Sequence, residues 1–354
     1  MPTLAAISKT RFPFSTKQQE VKQFAKEVFA PSFPHMDKLL SIFDHTEIDI
    51  RNLCKPFPYY SDAHTFEEQN AEYIRISLDY SVQAIESCIA SAQIAKEEIT
   101  DLILVSTTGL STPSLDALII NKMRLNRNIN RIPVFGLGCG GGVSGFAKAS
   151  IVARENPDAV VLFLTVELCS LTFLQSDFSK SNFVGSSLFS DGVAACIITG
   201  DNRTNKTKNA ITFLASQSNL YYDSLDVMGW EFLDKGMKVL FSKSIPDIIS
   251  QNIKDDVDSF LSKHKLQLSD IRNFIFHPGG TKVLTAYEEA LSLEGSCLNN
   301  TRKVMRDYGN MSSATVMYVL ERCFSKGFTT GYGLMLAMGP GFSSEMVLLQ
   351  MKKN

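Results

Sequence analysis

The 354-residue sequence has no surplus of either charge: 35 Lys and Arg against 37 Asp and Glu leave a formal net charge of −2. A dedicated nucleic-acid binder carries a clear basic excess, so that class is set aside. Long apolar runs are missing as well. The longest, Ala159–Val166 interrupted by one threonine, falls far short of the roughly 20 residues that cross a bilayer, and no stable membrane insertion is expected. The opening MPTLAAISKTRF lacks the charged start and apolar centre of a secretory signal, which predicts a cytoplasmic chain. No C-x-x-C pair occurs among the seven cysteines, Cys54, Cys88, Cys139, Cys169, Cys196, Cys297 and Cys323. An odd, widely spaced set fits neither a disulfide framework nor a zinc site, and no metal is expected. The remaining reading is a chain of reduced thiols, most of them buried as small apolar groups.

What is present is an ordinary globular composition, 44% hydrophobic and 20% charged, with length for one large domain or two fused ones. Val21, Phe24, Ala25 and Phe29 recur at helical spacing; Ser15 or Thr16 can cap that helix, Glu20 sits near its first turn, and Pro31 stops it. A longer helix is predicted over 66–95 with Ile74, Leu78, Val82, Ile85 and Ile89 as its apolar stripe. Asp101–Val105, Ile132–Leu137 and Ala159–Val166 are apolar and strand-like, separated by helical segments. The alternation implies an α/β layered architecture with covered sheet faces.

The second half resembles the first. Asp101 and Asp270 open similar strands 169 residues apart, and Gly138-Cys139 and Gly309-Asn310 precede similar helix starts 171 residues apart. Two landmarks at nearly one offset suggest an internal duplication, with half-domains at 1–205 and 206–354. A pseudo-two-fold axis would then bring Cys139 and Asn310 to one central site.

The most unusual segment is IPVFGLGCGGGVSGFAKASIVARE (132–155). Gly136, Gly138 and Gly141 match a G-x-G-x-x-G dinucleotide fingerprint, with Glu155 nineteen residues after Gly136. Against that, a cysteine would occupy the phosphate turn. The other reading makes Cys139 a nucleophile: unpaired N–H groups at a helix start favour thiolate, and flanking glycines let a carbonyl approach the backbone N–H groups. Of five histidines, His35, His45, His64 and His264 stand in polar context, whereas His277 ends the apolar run NFIFH before Pro278-Gly279-Gly280. A polar residue at the end of a buried strand is a common position for a site residue in α/β folds. Asn310 in RDYGNMSSATV reads as a helix N-cap, and equally as an amide donor for an oxyanion.

Taken together, VFGLGCGGGVSG, HPGG and YGNMSS, in this order and near these spacings, resemble type III polyketide synthases, the chalcone synthase-like enzymes of the thiolase superfamily. The resemblance runs through the closing LAMGPGFSSEMVLL (336–349); that segment and VELCSLTF (166–173) look more like the bacterial branch. It implies a thiolase-like five-layered αβαβα fold of two duplicated half-domains, an active homodimer, and CoA thioesters as substrates with no cofactor. It gives Cys139 the acyl chain, has His277 maintain the thiolate, and sets His277 with Asn310 to polarise malonyl-CoA for decarboxylation. It places Phe189 as a gatekeeper and Val239 where plant members carry a second Phe, a change that points to fatty acyl-CoA starters and alkylpyrone or alkylresorcinol products. Thr108, Thr112, Cys169 and Thr172 fall on cavity-lining positions, Thr112 standing where plant enzymes place a Met that reaches across the dimer. Gly339 and Gly341 belong to a glycine loop that shapes the site, and Arg51 and Lys55 fall near basic contacts to CoA phosphates. The nearest rival is β-ketoacyl carrier-protein synthase III, which shares the fold and a Cys–His–Asn set. The residues after His277 and Asn310 disfavour it. A nicotinamide-dependent oxidoreductase rests on the glycine fingerprint alone.

Overall fold

The structure, a computed structural model, describes residues 1–33, 35–203 and 209–353. Nine strands form one sheet in the spatial order Ile271–Phe276, Gly331–Gly339, Ser343–Lys353, Asn209–Leu220, Thr3–Lys9, Asp191–Thr199, Val160–Leu168, Asp101–Val105 and Asn130–Val134. Its two ends repeat one design. Asp101–Val105 lies parallel to Val160–Leu168, which pairs antiparallel with Asp191–Thr199 and through it with Thr3–Lys9. In the other half Ile271–Phe276 lies parallel to Gly331–Gly339, followed antiparallel by Ser343–Lys353 and Asn209–Leu220. The halves meet where Thr3 pairs Thr212. The strand opened by Asp101 thus has its counterpart in the one that follows Asp270, as the offset argument expects. The boundary drawn at 205/206 lies outside the described residues.

Side-chain alternation along these strands makes the layers, because successive residues of a strand point to opposite faces. In the first half Leu102, Leu104, Leu162 and Leu164 face an outer layer of helices Phe66–Ala92 and Leu115–Met123, while Ile103, Val105, Val161 and Phe163 face inward. In the second half Phe274, Phe276, Leu334 and Leu336 face the outer helices Ile245–Ser262 and Thr281–Ala290. Their neighbours Ile275, Met335 and Ala337 join the inward core. Helices Gly141–Glu155 and Ser313–Lys326 fill the middle, burying Val143, Phe146, Val316 and Met317 between the two sheet halves. Helix, sheet, helix, sheet, helix is the expected five-layered order.

Two local expectations shift. In helix Phe66–Ala92 the fully buried face is Tyr73, Ile76, Tyr80, Ala84, Ile85 and Cys88, whereas Ile74, Leu78, Val82 and Ile89 are half-buried. The sequence stripe followed aliphatic residues, but the helix turns its small and aromatic side chains onto the sheet. The first helix, Gln18–Phe29, takes Lys17 as N-cap, and Glu20 accepts from the Lys17 N–H and the Thr16 hydroxyl. Ser15 and Thr16 lie one and two residues before that cap in the short strand Phe14–Lys17, too early to cap, and Thr16 turns its hydroxyl to Glu20 instead.

The middle layer rests on helices that approach to backbone contact. A Cβ on Gly142 would clash with the Ser313 carbonyl oxygen and stand 2.5 Å from Val316 Cγ1, whereas one on Gly229 would meet nothing within 4 Å. Gly142→Ala is expected to destabilise the fold by about 1–3 kcal/mol, the usual cost of overpacking. Gly229→Ala should stay within about 0.5 kcal/mol. Urea unfolding of both variants checks this.

Candidate functional site

Strand Asn130–Val134 leads into a single 3-10 turn, Gly138–Gly140, and helix Gly141–Glu155 starts at once, so Cys139 is held at a helix N-terminus. The glycines are spent on closeness to the second half. A Cβ on Gly138, where φ is +45°, would reach Pro340 at 2.7 Å, and one on Gly140 would lie 3.2 Å from Gly339 Cα. The expected glycine loop therefore roofs the nucleophile turn: a Cβ on Gly339 would sit 2.6 Å from the Leu137 carbonyl oxygen, and Gly341 has φ +116°. Covered on these faces by protein, the turn is unlike a dinucleotide cradle. Glu155 is the last residue of the helix rather than the end of a following strand, and the fingerprint reading fails on that count too.

Asn310 occupies the matching place before helix Ser313–Lys326, and His277 follows strand Ile271–Phe276, its N–H donating to Leu336 O at 2.8 Å. A set of contacts links Cys139 to Asn310 and ties Asn310 to the loop after His277. Cys139 Sγ lies 3.8 Å from Ser312 Oγ, and the Ser312 N–H donates to Asn310 Oδ1 at 2.9 Å. Asn310 Nδ2 in turn donates to Gly279 O at 3.2 Å, two residues from His277. Against the N-cap expectation, the helix takes Ser312 as its N-cap with no side-chain cap bond; Asn310 stands two residues earlier, its Oδ1 taking the Ser312 N–H while one amide N–H is spent on Gly279 O. Cys139, His277 and Asn310 are all buried, and neither ring nitrogen of His277 has a partner among the described residues.

Burial sets the electrostatics. It pushes the Cys139 thiol up to about 12, the Ser312 hydroxyl opposing, and the His277 imidazole down to about 3. Enclosure thus works against the thiolate that the helix start favours, and against the imidazolium.

Beyond Cys139, Phe189 forms a bridge with Asn310, and its ring lies 6.5 Å from that of Phe241. Phe189, Val239, Cys169 and Thr172 line one cavity of about 70 Å³, walled by Phe24, Phe57 and Phe173. Thr108 and Thr172 line a smaller one of about 10 Å³ beside Met237. Thr108 and Thr172 also serve the fold, Thr108 Oγ1 accepting from the Leu168 N–H and Thr172 Oγ1 donating to Cys169 O. Thr112 is not brought to either cavity. It is exposed in the loop before helix Leu115–Met123, joined to Pro113 by a cis peptide bond. Arg51 is a second correction. It is 3% exposed and its Nη1 donates to the Ser186 and Phe189 carbonyls, so it cannot meet a phosphate at the surface. Lys55 is held by Glu72 at 2.6 Å and lies over the Tyr59 ring.

Residues 63–202 match the family model for chalcone and stilbene synthases, N-terminal domain, and residues 213–352 match the C-terminal domain model. A putative chalcone synthase of Bacillus subtilis (strain 168) is 40% identical over 363 aligned residues, covering all of both chains. The chain belongs to the chalcone and stilbene synthase family. The 1,3,6,8-tetrahydroxynaphthalene synthase of Streptomyces peucetius subsp. caesius is 36% identical over 90% of this chain and 85% of its own. The crystal structure of the Streptomyces coelicolor A3(2) 1,3,6,8-tetrahydroxynaphthalene synthase, a bacterial type III polyketide synthase, superposes with TM-score 0.94 at 25% identity, covering 99% of this chain and all of that one. The chain is accordingly a type III polyketide synthase, an acyltransferase.

In this polyketide synthase one site residue escaped the sequence reading. Glu167 is fully buried beneath the nucleophile, accepting from Ser313 Oγ at 2.6 Å and the Thr107 N–H at 3.1 Å, and so ties the two halves together. Its signal was available: an acidic residue inside the otherwise apolar strand Val160–Leu168 is rarely buried without a purpose. Burial pushes its carboxyl up to about 7. A raised pKa means that the folded state holds the proton more tightly, so this contribution is complete below the unfolded value near 4.5 and lost as pH rises through about 7. Stability should therefore fall by about 3 kcal/mol from this group between those limits. Glu167→Gln should flatten that slope in urea unfolding at pH 5 and pH 8, and identical slopes in the two proteins would refute the assignment.

Proposed function

We propose that the enzyme condenses malonyl-CoA units iteratively onto an acyl-CoA starter held on Cys139, and that the starter is a medium or long fatty acyl group cyclised to an alkylpyrone or alkylresorcinol. The observation that supports it most is the line of contacts from Cys139 through Ser312 to Asn310 at the paired helix starts, with the buried, unpartnered His277 ring two residues from the Gly279 carbonyl that Asn310 holds. The apolar cavity lined by Phe189 and Val239 is joined to this line through Phe189, which bridges Asn310.

His277 accepts the thiol proton as Cys139 Sγ attacks the acyl-CoA carbonyl; the C–S bond to CoA breaks and CoA leaves as its thiol, taking the proton. Malonyl-CoA then places its thioester carbonyl against the Asn310 amide and His277. Loss of CO2 leaves an enolate whose oxygen those donors stabilise. The enolate carbon attacks the acyl–Cys139 carbonyl, forming a C–C bond and freeing the Cys139 sulfur. The extended chain returns to Cys139 for another round. Decarboxylation makes each condensation irreversible without ATP.

In this reading Val239 in place of a second aromatic gate leaves an aliphatic passage, which suits an alkyl chain better than an aromatic acid. Lys55 exchanges Glu72 for a CoA phosphate at the mouth, and the exposed loop carrying Thr112 packs in a homodimer. A cytoplasmic location agrees with CoA thioester substrates.

Cys139→Ala should abolish product formation, and His277→Ala should lower turnover by about 10²–10⁴-fold, the usual contribution of a general base. Mass-spectrometric product profiles over an acyl-CoA panel measure both. Faster turnover with p-coumaroyl-CoA than with a fatty acyl-CoA would overturn the starter assignment. Activity with malonyl carrier protein but none with malonyl-CoA would overturn the reaction itself.

A further inference from the structure

Among the described residues the Ser312 hydroxyl is the only side-chain hydrogen-bond partner of the Cys139 sulfur, at 3.8 Å, and the chemistry above gives it no task. Its backbone is unusual. Seven non-glycine residues among those described have positive φ; six are exposed, and Ser312, at φ +49°, is the buried one. The clamp that holds it uses only main-chain atoms of Ser312. Its N–H donates to Asn310 Oδ1 at 2.9 Å, and its carbonyl accepts from the Thr315 N–H at 3.1 Å and the Thr315 hydroxyl at 3.0 Å. A residue persists in so sparsely populated a backbone region only where its surroundings over-determine it, and such positions gather at functional sites. The side chain is spent on none of this. A serine at a helix N-cap ordinarily accepts from an N–H of the first turn, whereas Ser312, the N-cap of helix Ser313–Lys326, makes no such bond. Its oxygen takes the Cys139 thiol proton, and its own proton has no acceptor among the described residues other than that sulfur.

The sulfur needs such a donor. Enclosure works against its thiolate, and the His277 ring makes no hydrogen bond to it. A hydroxyl can serve a thiol and a thiolate in turn, because rotation about Cβ–Oγ exchanges a lone pair for the proton. Resting on the condensation proposed above, we propose that Ser312 is a further catalytic residue, whose hydroxyl donates to the Cys139 thiolate each time the sulfur is uncovered. When the thiol proton leaves for His277, Ser312 Oγ stops accepting from the sulfur and donates to it. It keeps its own proton throughout, and no bond to Ser312 forms or breaks. Attack on the acyl-CoA carbonyl turns the sulfur into a thioester, a weak acceptor, and releases the hydroxyl. Condensation frees the sulfur as thiolate again, so the same donor acts at each loading and at each release. The left-handed backbone keeps the hydroxyl off its own helix and on the sulfur.

The test is the pH profile of Cys139 alkylation by iodoacetamide, read by peptide mass spectrometry so that the other six cysteines do not enter. The titratable groups around the nucleophile turn are the same in every protein compared. They are Glu167 on strand Val160–Leu168, Cys169 after it, His277 after strand Ile271–Phe276, Tyr287 on helix Thr281–Ala290 and Glu345 on strand Ser343–Lys353. Ser312→Ala and Ser312→Gly both remove the hydroxyl, and glycine also relieves the backbone. Both should raise the midpoint by about one pH unit, so that alkylation below it slows about tenfold while the high-pH plateau is kept. A residue that only shapes the helix start would change the plateau and leave the midpoint. An unmoved midpoint in Ser312→Ala overturns the proposal, and so does a shift there that is absent in Ser312→Gly, which would belong to the backbone. Should Ser312→Ala fail to fold, Ser312→Gly decides alone. A wild-type Cys139 that alkylates no faster than the buried Cys88 at any pH would bring down the nucleophile reading, and this proposal with it.

Discussion

Everything in this molecule that bears on chemistry depends on two helix starts meeting at backbone distance. Gly142 lies against the Ser313 carbonyl and Gly140 against Gly339; a side chain would block the first contact and crowd the second. That closeness brings a cysteine from one half and an asparagine from the other into one chain of contacts through Ser312. Interiors pack at near-crystalline density, so a gap of one methyl group here would move the nucleophile relative to its donors.

The same closeness creates an electrostatic problem that the fold answers locally. A buried carboxyl, a buried thiol and a buried imidazole share the interface, and each is driven toward its neutral form by loss of water. Glu167 is kept in place by Ser313 and Thr107, one from each half, which makes it a strut across the seam. Among the described residues the Cys139 and His277 side chains have no such hydrogen-bond partners beyond Ser312, which leaves them available to a substrate. Stability and reactivity are thereby assigned to different buried polar groups within one small volume.

The sequence made much of this readable because its strongest signals are local. A glycine cluster between an apolar strand and a helix, a histidine ending a buried strand, and an asparagine before a second helix are each visible within a dozen residues. Repetition at a nearly constant offset related the two halves. What could not be read were properties of packing. Arg51 falls near a CoA phosphate contact by resemblance, yet the chain buries it against the Phe189 carbonyl. Thr112 was placed in the cavity by alignment, whereas its loop turns outward. Glu167 lay in a strand whose apolar neighbours drew attention away from it.

The central claim is that Cys139, set between the two halves, carries the acyl chain. Intact-protein and peptide mass spectrometry after brief incubation with a fatty acyl-CoA tests it most directly. The account predicts a single added acyl mass, located on the peptide containing Cys139 and released by hydroxylamine as a thioester. An acyl mass on any of the other six cysteines with Cys139 unmodified would contradict it.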